Sequence, residues 1–167
     1  MQGVGHFIYI SSETVFEDEY IIDITEDTPV SPNSYKGIAI SQGENMSAHF
    51  GTINDMEGTI VRLANMYGIP SNRKENMDIC GEMCVKALVD GTVHVNAKSI
   101  FSPLFVKDAV ETIFILMNAP KRNYNLYHVS SMEEVTENDI AELIKVKVLH
   151  PVDIIDETEG VTKRRIL

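Results

Sequence analysis

Two cysteines, no tryptophan, and fourteen lysines and arginines against twenty-five aspartates and glutamates are what this 167-residue chain has little of. The resulting formal charge of -11 excludes DNA and RNA as partners, because phosphate binding needs clustered cations to release counterions. Cys80 and Cys84 stand four residues apart, which places them on one side of a helix but supplies too few thiols for a disulfide framework or a structural zinc site. The histidines, His6, His49, His94, His128 and His150, form neither an HExxH nor an HxH cluster, so no metal site is expected. Both thiols are expected to be reduced and to pack as small core hydrophobes. No apolar run approaches the roughly 20 residues needed to span a bilayer. The N-terminus also lacks a basic segment followed by an apolar stretch and a cleavage site. Those absences read as a soluble, cytoplasmic protein without a membrane partner.

What is there is a regular alternation. A hydrophobic content of 44% in a chain of this length supports one domain with a sizeable core. Phe7 to Ile10 is a short apolar run of the kind a buried parallel strand shows, ended by Ser11 and Ser12. An acidic stretch from Glu13 to Asn33, with Pro29 and Pro32 near its end, reads as a long loop over the strand ends. Tyr35 to about His49 has a helical pattern with Gly51 as its stop, and Thr59 to Ala64 is β-rich. Glu75 to Val89 carries two adjacent helical rows, Ile79, Met83, Ala87 and Cys80, Cys84, Leu88, closed by Gly91. Thr92 to Val95 is a short strand, Val106 to Met117 an apolar helix ended by Pro120, and Asn125 to Val129 a further strand. Thr136 and Asp139 form a capping-box start for a helix bearing Ile140, Leu143 and Ile144, before a last strand at Val152 to Ile155. Asp153, Asp156, Glu157 and Glu159 read as a solvated surface. No internal repeat or low-complexity segment interrupts this order, and repeated strand and helix of these lengths argue for an α/β parallel sheet.

Four pieces in sequence order, FIYISSETVF, EDTPVSPNSY, VRLANMYG, and FVKDAVETI followed by YNLYHVSSMEEVTENDIAELI, resemble the extended short-chain dehydrogenase/reductases, the NAD-dependent epimerase/dehydratase family. The VF after the serines, the SP before VKDA and the YHVSSMEEVT before an amphipathic helix are most similar to the branch containing dTDP-4-dehydrorhamnose reductase and its non-catalytic relatives. The resemblance covers nearly the whole chain. It implies a partial Rossmann-like parallel sheet with flanking helices and small substrate-lobe elements, the N-terminal βαβ half being absent. Gly3-Val4-Gly5 is too short for the Gly-x-Gly-x-x-Gly run and precedes a strand instead of following one. The first βαβ half, on the order of 100 residues, is therefore expected upstream, and the end at KRRIL to fall short of the family's last helices.

The resemblance also assigns roles. Ser12, four residues before Phe16, matches the hydroxyl that holds the substrate oxygen, with Ser11 bordering the cofactor. Tyr35, 23 positions after Ser12, matches the tyrosine acting as general acid or base, a task that needs its pKa of about 10 lowered by a nearby cation. The family places a lysine one helical turn later. Here that position is Ala39 or, counted back from Gly43-Glu44, Ile40, and Lys36 diverges by about 100 degrees from Tyr35 around a helix. Leu63 and Ala64 would border the cofactor and Asn65 the sugar nucleotide, with Arg62 structural. Phe101, Ser102, Pro103 and Leu104 stand where many epimerases have a diphosphate-clamping arginine, and Lys98 is a weak substitute. The resemblance thus implies part of an NAD(P)-dependent sugar-nucleotide oxidoreductase transferring hydride at a sugar carbon, or a non-catalytic binding or regulatory member of the same family. NAD or NADP would belong to the complete protein, with none bound by these residues alone. The partners implied are a sugar nucleotide and a second copy of the chain through the helix after Tyr35.

Overall fold

The computed structural model describes residues 4–16, 24–53, 56–69, 77–123, 125–158 and 163–165. Strand β1 (His6–Ser12) runs into a 3-10 turn at Glu13–Val15, and α1 (Tyr35–Ile53) leads to β2 (Glu57–Leu63) and the short β3 (Met66–Tyr67). Then follow α2 (Ile79–Asp90), β4 (Thr92–Val95), β5 (Ser99–Phe101), β6 (Leu104–Phe105), α3 (Val106–Asn118) and β7 (Leu126–Val129). The last described elements are β8 (Val135–Thr136), α4 (Glu137–Lys147), β9 (Asp153–Asp156) and β10 (Lys163–Arg165).

The main sheet is parallel, in the order β1-β2-β7. His6 to Ser12 lie opposite Glu57 to Leu63, and Ile60 to Leu63 lie opposite Leu126 to Val129. Strand alternation divides the side chains between two covered faces. On one face α1 lies over Tyr9, Ser11 and Arg62, with the Tyr9 hydroxyl donating to the Ile40 carbonyl at 3.3 Å. On the other, Ala109 and Leu116 of α3 pack with Val61, Leu63 and Val129, with Ile8 and Tyr127 against them. A sheet covered on both faces explains why its strands read as near-continuous apolar runs. A second cluster joins Met83 and Ala87 of α2, Val93 and Val95 of β4, Ala141 and Ile144 of α4, and Val152. There β4 pairs in parallel with β9.

The helix ends follow from local chemistry. Asp78 caps α2 by accepting from Gly81 N at 2.9 Å, and Gly91 closes it at φ 70, a left-handed conformation suited to glycine. Thr136 and Asp139 form the expected reciprocal capping box at the start of α4.

Two details differ from the sequence expectation, and the packing of α1 adds a third that the sequence did not address. α1 continues through Gly51 to Ile53, because a residue without a Cβ lets the Met56 carbonyl approach the helix there: an added Cβ would meet it at 3.0 Å. The buried face of α1 is made of Gly37, Ser41, Glu44 and Gly51, while Met46, Phe50 and Ile53 face out. Of the two rows on α2, Met83 and Ala87 are core, but Cys84 and Leu88 are exposed and Cys80 is half-buried. The core role expected of Cys84 is thereby corrected: one row faces the second cluster and its neighbour turns to solvent. Burial, aided by the nearby Asp78 carboxylate, pushes the Cys80 thiol up to about 11. Residues 75 and 76, the expected start of α2, and Glu159 of the acidic tail lie outside the described residues.

Candidate active site

Ligands of open parallel α/β sheets bind beyond the carboxyl ends of the strands, and here those ends are Ser12, Leu63 and Val129. Ser12 and Leu63 are direct neighbours across the β1–β2 ladder. The Ser12 hydroxyl oxygen accepts a 3.3 Å hydrogen bond from Thr14 N, capping the 3-10 turn. That bond uses a lone pair and does not consume the hydroxyl proton. Next to it, the buried Glu13 carboxylate accepts from Asn65 N at 3.1 Å. Asn65 O in turn accepts from Leu104 N at 2.9 Å. The Asn65 backbone is therefore held from both sides while its side chain faces solvent, an arrangement that pre-orients a polar side chain at low entropic cost. Leu63 and Ala64 are both buried in the core against α3, and Ala64 N donates to Val129 O at 3.0 Å. Their contribution to the strand ends is shape.

Beneath this rim lies a buried polar network. Ser11 Oγ donates to Glu44 of α1. Arg62 meets the same carboxylate with two parallel bonds, Nε to Oε1 and Nη2 to Oε2, both 2.8 Å. This planar two-point pairing is specific to arginine. The Arg62 guanidinium also lies 4.9 Å from the Phe16 ring centroid and reaches His128 Nε2 at 3.3 Å. With Nε2 accepting from a permanently charged donor, the His128 proton belongs on Nδ1, a buried atom without a hydrogen-bond partner among the described residues. Burial pushes the His128 pKa down, the Glu26 carboxylate partly opposing it. Glu26 accepts from His128 N at 3.0 Å, and that bond holds the Glu26 carboxyl below the usual carboxylate range. The segment from Ile24 to Glu26 is thus clamped onto the end of β7.

Tyr35 is the first residue of α1 and is 96% exposed. The geometry brings Ser12, Leu63, Ala64 and Asn65 together at the strand ends, turns Ser11 beneath them into the Glu44 network, and leaves Tyr35 to solvent at the helix start. Of the positions one turn further on, Ala39 is exposed. Ile40 is half-buried and packs on a cluster of Val15, Phe16 and Ile24. Lys36 is exposed. No group of three or more histidine, cysteine, aspartate or glutamate side chains suited to a metal ion occurs among the described residues. The sequence reading missed Glu44, Phe16, His128 and the Glu13–Asn65 tie. The signal for Glu44 was available: an arginine inside an apolar strand demands a buried anion, and Glu44 is the acid on the buried side of the helix that crosses it.

A family model described as the RmlD substrate binding domain matches residues 3–163. The chain belongs to this family. No curated protein matches it in sequence. Among solved structures, RMD from Pseudomonas aeruginosa, complexed with NADPH, superimposes with TM-score 0.80 at 18% identity, over 97% of this chain and 56% of that one. UDP-glucose 4-epimerase from Thermotoga maritima, solved with UDP-glucose, gives TM-score 0.80 at 22% identity, over 99% and 55%. dTDP-4-dehydrorhamnose reductase from Bacillus anthracis, in complex with NADP, gives 0.72 at 21% identity, over 96% and 55%. This RmlD-type chain therefore has the fold of about half of each of these proteins. No helix among the described residues is long and apolar enough to cross a membrane.

Proposed function

We propose that this RmlD-type chain is the sugar-nucleotide-binding side of a non-catalytic member of its family. The observation that carries the reading is Ile40. At the turn of α1 from which an ammonium would lower a tyrosine pKa and hold a nicotinamide ribose, this chain presents an apolar side chain seated on Val15, Phe16 and Ile24. Tyr35, the first residue of α1, stands in solvent, and the positions one turn further on, Ala39 and Ile40, bring no charge to it. The described residues do not fit the whole of an NAD(P) molecule either: no glycine-rich turn opens a helix to receive a pyrophosphate, and Ile40 offers the ribose no charge.

What remains at the strand ends suits recognition. Ser12 brings a hydroxyl proton, Asn65 an amide whose backbone is fixed by Glu13 and Leu104, and Leu63 and Ala64 a packed floor. A sugar nucleotide, rich in hydroxyls and carbonyl acceptors, is the ligand class such a rim takes. The rival reading, half of a working NAD(P)-dependent oxidoreductase, draws on Ser12 at the end of β1.

The two separate in one assay. The longest natural protein containing this chain would be given dTDP-4-dehydrorhamnose with NADH or NADPH and followed at the reduced-nicotinamide absorbance. We expect sugar-nucleotide binding without cofactor consumption. Turnover that Tyr35→Phe abolishes would overturn the non-catalytic reading.

A further inference from the structure

Tyr67 and Phe105 form an aromatic pair beside Asn65 that has no role so far. Leu104 N donates to Asn65 O, and the parallel ladder then sets Met66 opposite Leu104 and Tyr67 opposite Phe105. Side chains alternate along a strand, so Asn65 and Tyr67 leave the ladder on the same face, about 7 Å apart. Phe105, directly across from Tyr67, shares that face. The two ring centroids lie 5.3 Å apart with their planes inclined at 39°. That contact does not bury the pair: Tyr67 remains 37% exposed and Phe105 is half-buried.

The rings are also fixed in place. Gly68, next after Tyr67, donates its N–H to the Asp78 carboxylate at 3.3 Å, and the other oxygen of that carboxylate caps α2. Gly68 approaches α3 so closely that a Cβ would lie 2.6 Å from Val106 Cγ1, and Phe105 is itself the N-cap residue of α3. The pair is thus pinned between the starts of two helices, and a ligand resting on it would order little that is not already ordered.

We propose that Tyr67 and Phe105 are the nucleobase platform of the strand-end site, the base stacking on Tyr67 while Asn65 takes the polar part of the same ligand. The assignment rests on the sugar-nucleotide reading above. Three observations select a base. Every base has a flat π-face that stacks on an aromatic ring whatever its edge carries. The exposed neighbours of the pair, Met66 and Val106, are apolar, which suits an uncharged flat ring and would leave a diphosphate without partners. The order along the chain agrees as well: Leu63 stands opposite Ser12, then comes Asn65, then Tyr67, and a sugar nucleotide carries its sugar, diphosphate and base in that sequence.

The test titrates UMP, glucose 1-phosphate and UDP-glucose into this chain and into Tyr67→Leu, Tyr67→Phe and Asn65→Ala, with saturation-transfer NMR on the ligands bound to the parent. Circular dichroism checks that each variant is folded, and the saturation experiment needs no variant. Saturation is expected to reach the uracil ring protons most strongly. Tyr67→Leu is expected to weaken UMP and UDP-glucose by about tenfold, Tyr67→Phe to keep the parent affinity, and glucose 1-phosphate, which has no base, to respond to the parent and Tyr67→Leu alike. UDP-glucose binding that falls in Asn65→Ala but not in Tyr67→Leu, or saturation confined to the sugar protons, overturns the platform and leaves the sugar-nucleotide reading standing. UMP binding that depends on Tyr67, with UDP-glucose indifferent to Asn65→Ala, supports the platform and counts against that reading. Binding of neither UMP nor UDP-glucose overturns both.

Discussion

Replacing Arg62 by methionine isolates the energetics of the network under the strand ends. Both side chains of the Arg62–Glu44 pair are only 7% exposed, so removing the guanidinium leaves a buried carboxylate with Ser11 as its remaining hydrogen-bond donor. Breaking a buried pair from one side costs about 3–5 kcal/mol, because the surviving charge keeps its desolvation penalty. The lost contact with the Phe16 ring adds on the order of 1 kcal/mol. For a domain of this size each kcal/mol moves the melting temperature by about 2–4 °C, so Arg62→Met is expected to melt about 8–24 °C below the parent. Arg62→Met combined with Glu44→Leu removes the orphaned charge and is expected to recover most of the loss, less about 1 kcal/mol for the unpaired Ser11 hydroxyl. The assay is urea unfolding followed by far-ultraviolet circular dichroism on the four members of the cycle. The reasoning is refuted by a single Arg62→Met variant within about 1 kcal/mol of the parent, or by a double variant that loses the sum of the two single losses.

Further outcomes follow from the same structure. Gly43→Ala is expected to destabilise by about 1–3 kcal/mol, since its Cβ would overlap the Tyr9 hydroxyl; a rescue by Tyr9→Leu in chemical denaturation checks that the clash is the cause. Thr136→Ala, which removes the cap on α4, is expected to cost about 1 kcal/mol. His6 and His128 both have pKa values pushed down mainly by burial, so below the ordinary histidine value the unfolded chain binds more protons. Stability is therefore expected to be full near pH 7.5 and to fall as pH drops through about 6.5; replacing His128 by asparagine flattens the decline, and a slope unchanged by that replacement counts against the assignment. The carboxyl of Asp139 is held low by its bonds to Thr136, so the α4 cap is expected to persist above the ordinary aspartate range and to be lost at lower pH, read by helicity in the parent and Asp139→Asn.

Much of the fold was legible because each strand of the main sheet is covered on both faces and so appears as a continuous apolar run; Phe7 to Ile10 and Thr59 to Ala64 announce β1 and β2 without alternation. Two caps were equally readable, since Gly91 and the Thr136–Asp139 box act through their own backbone neighbours; Asp78 was not read as a cap, and α2 begins at Ile79 and not at the expected Glu75. The packing of α1 was not legible. Its buried side consists of glycine, serine and glutamate, because Tyr9 and Arg62 of the sheet fill the space that apolar helix residues would otherwise take. The same long-range exchange hid the Glu44 network, whose members are drawn from three strands and a helix. At the candidate site, the family motifs singled out Ser12 and Asn65 one by one, and their proximity at the strand ends came from the β1–β2 ladder. The motifs could not reveal that Glu13 and Leu104 hold the Asn65 backbone, nor that Ile40 sits on Val15, Phe16 and Ile24, because both depend on loops closing over the sheet.

The most direct test of the central claim is a calorimetric titration of UDP-glucose, dTDP-glucose and NADPH into this chain and into Asn65→Ala. Saturable binding of at least one sugar nucleotide, weakened at least tenfold by Asn65→Ala, and no binding of NADPH are expected. Tight NADPH binding with no response to either sugar nucleotide would contradict that claim.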